Sequence, residues 1–322
     1  MIAETGQAAV VKSLADSRGE NMKGVVLVET NSLIHVRERC IEVVPLNGEG
    51  ERHVSYPPED MGVLMVEGIH SRISASALAM LADAKAVVCV CDARKLPVCI
   101  AAPVTAHTRH ERILQGQIAY RHAGRTWKEI VAAKIFNQSE HMRRAGRDDW
   151  AAMRNLSRKV RNGDVGNLEA VAAARYFDSL GIVRTTQRDE INPMPNPALN
   201  YAYAFVRSAT ARSLVAHGMQ CALGVHHDNM RNPYCLADDM MEPFRPLVDE
   251  AVLELPDLLC RQWRHIKMET PVKELLARIV YRDVKMGSET VPMMLAIDRS
   301  CAALARIYSG EETTLELPRF PE

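Results

Sequence analysis

Two adjacent histidines, His226 and His227, close a short apolar stretch, and the acidic run Asp238, Asp239 and Glu242 follows them within GVHHDNMRNPYCLADDMMEPFRPLVDE, residues 224–250. Positions 239 and 242 are three apart and 238 and 242 four apart, so on a helix at least one pair shares a face. Acids in a first turn favour the helix dipole and need no further role. Here, however, Leu236, Ala237, Met240, Met241, Pro243 and Phe244 frame them. Burying carboxylates among such residues costs several kcal/mol unless they are paired or bind a cation. Two carboxylates with an imidazole make a hard site with one nitrogen ligand, which suits Mn2+ or Mg2+. Successive side chains on an extended segment point to opposite sides, so one histidine is a ligand candidate and the other is packed. The residue pattern alone does not choose between them.

Other acids and thiols bear on the same chemistry. Glu169 is the only acid in the segment 167–176 and is followed by Ala170, Val171, Ala172, Ala173 and Ala174. A solvent-facing helix glutamate accounts for it, yet neighbours this small admit a close approach by another chain or a substrate backbone. Cys221 and Cys235 bracket the histidines, but their spacing matches no structural zinc pattern, and the eight cysteines contain no CxxC pair. Reduced, core-filling thiols are the expectation. DDMME also resembles the acidic box of helical prenyl diphosphate enzymes. Those need a second acidic box and a nearly all-helical chain, and neither is present.

The elements that must position these groups fall into two kinds. Val- and Ile-rich runs at 25–30, 32–39, 40–46, 63–68 and 86–92 predict strands, with a helix over 74–84 and at least one parallel pairing. Residues 1–21 read as a loose extension. From about residue 105 the spacing turns helical, through 107–122, 126–146, 148–163, 167–181 and 198–218, then roughly 270–286 and 292–309, with a surface tail. Asn167 is the expected N-cap before Glu169, and Gly181 the stop. The expected fold is therefore α+β: a β-rich domain over 22–104 and a larger all-α domain over 105–322.

Charge adds one asymmetry. The formal net charge is zero, but residues 107–188 carry 16 Lys and Arg against 8 Asp and Glu. A basic central third suits a polyanionic partner, although a solvated helix face explains it equally well. No apolar run reaches the ~18–20 residues that span a bilayer, and the N-terminus has no secretory pattern, so a cytoplasmic protein is expected.

The order GNLEAVAAARYF (166–177), NPALNYAYAFVRSATARSLVAHG (196–218), LGVHHDN (223–229) and NPYCLADDMMEPFRPLVD (232–249) resembles the CRISPR-associated integrase family Cas-one, most of all its type II branch. MKGVVLVE (22–29) and TWKEIVAAKIFNQ (126–138) fit the same family, and only residues 1–21 look extra. The resemblance implies a metal bound by Glu169, His227 and Glu242, with Asp239 auxiliary and His227 preferred over His226. It implies insertion of short DNA into a CRISPR repeat through attack of a 3′-hydroxyl on a phosphodiester. It also implies a homodimer bridged by the small ferredoxin-like partner Cas-two, and cooperation with the type II effector nuclease. Arg154, Arg158, Lys159, Arg161, Arg207 and Arg212 are the basic residues expected at DNA phosphates. A catalytically inactive DNA-binding scaffold of the same assembly is the competing reading.

Overall fold

The structure is a computed structural model and describes residues 11–14, 24–46, 53–92, 97–101, 103, 110–182 and 194–321. The chain divides into two compact units, residues 1–104 and 105–322.

The first unit holds nine strands and one helix among its described residues: β1 (Val11–Leu14), β2 (Gly24–Val28), β3 (Ser32–Arg37), β4 (Cys40–Pro45), β5 (Val54–Tyr56), β6 (Met61–Val66), β7 (Arg72–Ile73), α1 (Ala75–Asp83), β8 (Val87–Cys91) and β9 (Pro97–Ala101). They form two sheets, in the orders β1-β2-β6-β8-β9 and β5-β4-β3-β7. The run β2, β6, β8 is parallel, in line with the strand–helix–strand order of the sequence. Parallel strands covered on both faces lose the apolar–polar alternation, and β6, MGVLMV, is buried at every position. Val26, Val28, Ile34, Ile41, Val43, Leu64, Leu81 and Val88 join both sheets and α1 in one core.

Three short strands, β5, β7 and β9, escape the periodicity. So does β1, which pairs antiparallel with β2 from within the segment expected to be loose. Pairing of this kind is supplied by the neighbouring strand, and a four-residue segment carries too little pattern to announce it.

In the second unit the helices are α2 (His110–Ala119), α3 (Ala123–Arg144), α4 (Trp150–Lys159), α5 (Leu168–Ser179), α6 (Asn196–Ala216), α7 (Cys235–Met241), α8 (Arg245–Leu253), α9 (Leu255–Leu258), α10 (Thr270–Ala277) and α11 (Met293–Tyr308). The unit is not all-α. Where a helix over 270–286 was expected, α10 ends early and a hairpin follows, β10 (Asp283–Met286) paired with β11 (Glu289–Pro292). The two-residue connection places Gly287 at φ +57°, a conformation that favours glycine. The tail is not surface either. Phe320 is buried, Leu315 N–H donates to Glu129 Oε2 (2.8 Å), and Arg319 pairs in the backbone with Lys285.

Helix α3 organises this unit. It buries Trp127, Ile130, Val131, Lys134, Ile135, Asn137, Gln138 and His141, so its inward stripe turns from apolar to polar halfway along. Each buried polar group on a well-packed helix needs a partner. Asn137 Nδ2 donates to the carbonyls of Pro243 (2.8 Å) and Pro318 (3.0 Å). His141 Nδ1 lies 2.6 Å from the Tyr176 hydroxyl, which donates to Asp249 at 2.9 Å.

Candidate active site

The carboxylate side of the site is built by three segments far apart in sequence. Helix α5 begins one residue before Glu169, and its first turn is capped from outside. Asp164 accepts the N–H groups of Leu168 (3.0 Å) and Glu169 (2.9 Å). Asn167, the expected cap, stands at the helix start with φ +49° and makes no side-chain cap bond. Gly181, φ +69°, ends the helix as expected. Glu242 opens a short 3-10 turn, Glu242–Phe244, directly after α7. Lys134 reaches both acids from α3, with Nζ 2.6 Å from Glu169 Oε1 and 2.5 Å from Glu242 Oε2. Arg245 Nε donates to the other Glu242 oxygen at 2.8 Å, and its guanidinium lies 4.6 Å above the Tyr203 ring.

The charges follow from this geometry. Burial alone would raise the Glu242 carboxyl. Arg245 and Lys134 more than offset it and hold the group at about 2. Burial pushes the Lys134 ammonium down, yet Glu242 and Glu169 leave it raised. Two anions and two cations thus share a partly buried space, with Lys134 and Glu242 its most covered members, and each offsets the others.

The histidine side is built around Asp239, which has no solvent exposure. Its Oδ2 accepts the N–H groups of Val225 (2.6 Å) and His226 (2.9 Å), and its Oδ1 accepts the N–H of His227 (3.2 Å). The His227 ring closes the set, with Nδ1 2.5 Å from Asp239 Oδ1. That bond raises the imidazole's pKa against the opposing effect of burial. A ring held through Nδ1 to a carboxylate presents Nε2 outward in the tautomer that a metal ligand requires. Both histidines are exposed. His226 lays one ring face on Trp127, with 4.2 Å between centroids and 4° between planes, and His227 meets the same indole edge-on at 5.8 Å. What distinguishes His227 is the bond that fixes its ring on Asp239.

The loop that delivers these donors depends on Gly224. A Cβ there would lie 2.3 Å from the His227 carbonyl oxygen and 2.8 Å from Asp239 Oδ2. Gly224→Ala is expected to cost about 1–3 kcal/mol in urea unfolding, because neither a backbone carbonyl nor a fully bonded carboxylate can yield. A loss under half a kcal/mol would mean that the loop is not held this tightly.

Two carboxylates and an imidazole are donor types that a hard divalent cation takes. Glu169 and Glu242 already meet at one cationic centre, the ammonium. The buried Glu242 Oε2 touches that ammonium but has no hydrogen bond of its own. His227 lies within electrostatic reach of both acids. Among the described residues, no three His, Cys, Asp or Glu side chains converge closely enough to close a metal shell by themselves. Cys221 and Cys235 are buried free thiols, and Cys235 donates toward the Asn229 and Asn232 carbonyls. The acids of the DDMME run are not offered to a diphosphate. Asp239 serves the histidine loop, while Asp238 is held by Arg207 Nε (2.8 Å) and Asn232 Nδ2 (2.7 Å).

The basic residues separate into two groups. Arg158, Lys159 and Arg161 are exposed at and just beyond the end of α4. The other three are engaged by neighbours within the unit. Arg154 bonds Ser139 Oγ and Glu140 and lies 4.0 Å over Phe136. Arg207 clamps Asp238 beneath the Tyr234 ring. Burial lowers the pKa of Arg212, opposed by Asp298, Cys301 and Tyr281. Sequence reasoning missed Lys134, Arg245 and Trp127. One signal was available for Lys134, since it interrupts the apolar spacing Ile130, Val131, Ile135 of TWKEIVAAKIFNQ on the face that must be buried.

Comparison with known proteins bears on this arrangement. The family model of CRISPR associated protein Cas1 matches residues 25–262. A CRISPR-associated endonuclease Cas1 of Neisseria meningitidis serogroup C (strain 8013) is 33% identical over 300 residues, covering 92% of this chain and 95% of the relative. A casposase bound to integration product shares the fold with a TM-score of 0.76 at 16% identity, covering 92% of this chain and 93% of that one. A Cas6-RT-Cas1–Cas2 complex gives a TM-score of 0.73 at 15% identity, covering 94% of this chain and 37% of its own. With the family model spanning most of its length and this relative matched nearly end to end, the chain belongs to the CRISPR-associated Cas1 family, the Cas-one family of integrases.

Proposed function

We infer that this protein is a metal-dependent DNA endonuclease and integrase that inserts short DNA segments into a CRISPR repeat array, as part of an adaptive defence. The observation that carries the reading is the meeting of Glu169 and Glu242 at one buried cationic centre, beside a histidine whose ring is fixed through Asp239. In this reading Glu169, His227 and Glu242 hold Mg2+ or Mn2+. The ion supplies Lewis-acid stabilisation of charge on the phosphate and favours the alkoxide form of the attacking hydroxyl.

The rest of the reaction is positioning by the chain's own residues. A prespacer 3′-oxygen forms a new bond to the repeat phosphorus while the phosphorus bond to the repeat strand's 3′-oxygen breaks. The proton of the attacking hydroxyl is balanced by one taken up by the departing oxygen. Bond energy is conserved, and no covalent enzyme intermediate or side-chain nucleophile is needed. Arg158, Lys159 and Arg161 are placed to meet backbone phosphates, an interaction that weakens with salt. The neighbours of like fold support the partners, since one is a casposase bound to integration product and the other a complex with Cas2. A homodimer joined by the small Cas-two partner, the type II effector nuclease as a further partner, and residence in the cytoplasm complete the reading. Among the described residues no helix is long and apolar enough to cross a membrane.

The test is half-site integration into a leader–repeat duplex with Mn2+. Glu169→Gln and His227→Ala are each expected to reduce strand transfer by at least about a hundredfold, with unchanged melting in the absence of DNA for His227→Ala. Strand transfer within twofold of wild type in both variants would refute the site. A shift of activity onto neither DNA cleavage nor joining in the wild-type protein would favour the inactive scaffold.

A further inference from the structure

The two carboxylates of the proposed metal site are already bridged by a cation that belongs to the chain. Lys134 Nζ is 2.6 Å from Glu169 Oε1 and 2.5 Å from Glu242 Oε2, and its side chain is only 11% exposed. Arg245 occupies the second Glu242 oxygen at 2.8 Å. Glu169 and Glu242 are therefore balanced by Lys134 and Arg245, and this cluster carries no net charge without any added ion. A divalent cation entering beside both of these side chains would leave two surplus positive charges in a partly buried space. Burying unpaired charge of that kind is strongly unfavourable. Both oxygens of Glu242 are already engaged, by the ammonium and by Arg245, so an ion that binds Glu242 must displace or share one of them.

We propose that Lys134 is the resident counter-ion of this site: it holds Glu169 and Glu242 together in the free protein and competes directly with the divalent ion for them. The proposal rests on the metal reading of Glu169, His227 and Glu242 given above. It assigns Lys134 the part of a positioning residue, since without the ammonium the two acids would repel each other across the gap. It also makes metal loading an exchange of cations, in which the ammonium withdraws as the ion arrives.

The experiment uses the full chain and Mn2+ alone as probe, with binding measured by calorimetry and thermal unfolding followed in EDTA and in Mn2+. Wild type is compared with Lys134→Met, Lys134→Gln and, as a site control, Glu169→Gln. Both Lys134 variants are expected to melt lower than wild type in EDTA, to gain more from Mn2+, and to bind it at least tenfold more tightly. If either fails to fold in EDTA, Mn2+ is expected to restore folding, because it replaces the missing charge. Mn2+ affinity equal to or weaker than wild type in the Lys134 variants, or misfolding that Mn2+ does not correct, would overturn the exchange and leave the metal reading standing. If wild type shows no Mn2+ binding that Glu169→Gln removes, the metal reading itself fails and the exchange falls with it.

Discussion

Asp239→Ala is expected to lose about 3–5 kcal/mol of stability and nearly all strand transfer. Its carboxylate is wholly buried and accepts three backbone N–H groups and the His227 ring. Removing it takes the acceptor from three part-buried backbone donors and the His227 ring at once, at about 1 kcal/mol for each bond lost. The three residues that lose their acceptor are consecutive, so the whole loop that delivers His227 is released. Asp239→Asn separates positioning from bulk stability. The amide keeps the shape and one acceptor oxygen, but it turns an N–H2 toward donors and no longer fixes the ring's tautomer. It is expected to fold with a smaller loss, about 1–3 kcal/mol, and to slow half-site integration at least about tenfold. Its His227 pKa, followed by NMR, should fall back toward the ordinary imidazole value, because the bond that raises it is gone. An Asn variant with wild-type integration and an unmoved His227 titration would show that Asp239 does not act through the histidine.

Glu242→Gln carries the second large effect, and here the dependence on pH is informative. The carboxyl is depressed to about 2, against an ordinary value of 4.5, with burial opposed by Arg245 and Lys134. A group whose folded pKa is depressed contributes stability that is fully present above the unfolded value and is lost as pH falls through the folded one. The window therefore runs from about 4.5 down to about 2. The gap between wild type and Glu242→Gln should be largest near neutral pH, about 3 kcal/mol, and should shrink as the solution is acidified through that window. Urea unfolding of both proteins at several pH values measures it. A gap that stays constant down to pH 3 would mean that Glu242 is not held ionised by its two cations. Strand transfer is expected to be lost at neutral pH whatever the stability, since the variant lacks one of the three proposed metal ligands.

How much of this was legible depends on the range of the interactions involved. The long helices and the central strands announce themselves because each buries one regular stripe, as the apolar spacing of α3 and the continuous run of β6 show. The hairpin β10–β11 did not, because Val284, Met286 and Val291 satisfy helical and alternating spacing about equally over so few residues. Gly287 was the usable sign. Within the site, the choice between His226 and His227 was closed to local reasoning. The two rings differ through residues distant in sequence: Trp127, about a hundred residues upstream, stacks on His226, and Asp239 bonds His227. The basic residues show the same limit from the other side. Arg154 and Arg158 look alike in sequence, yet Glu140 and Phe136 engage only the first. Composition counts charges, and the fold decides which of them face water.

The buried amide of Asn137 binds the carbonyls of Pro243 and Pro318, three residues away from Lys134 on the same helix. The same helix takes the Leu315 N–H on Glu129, and Arg319 reaches the Ala133 carbonyl at 3.4 Å. Lys134, Asn137 and His141 find partners at residues 169, 176, 242 and 243. The helix is held along its full length only when the segment 315–319, 181–186 residues further along the chain, is also in place. Loss of that distant segment would therefore loosen the helix that carries Lys134 without touching Glu169, His227 or Glu242.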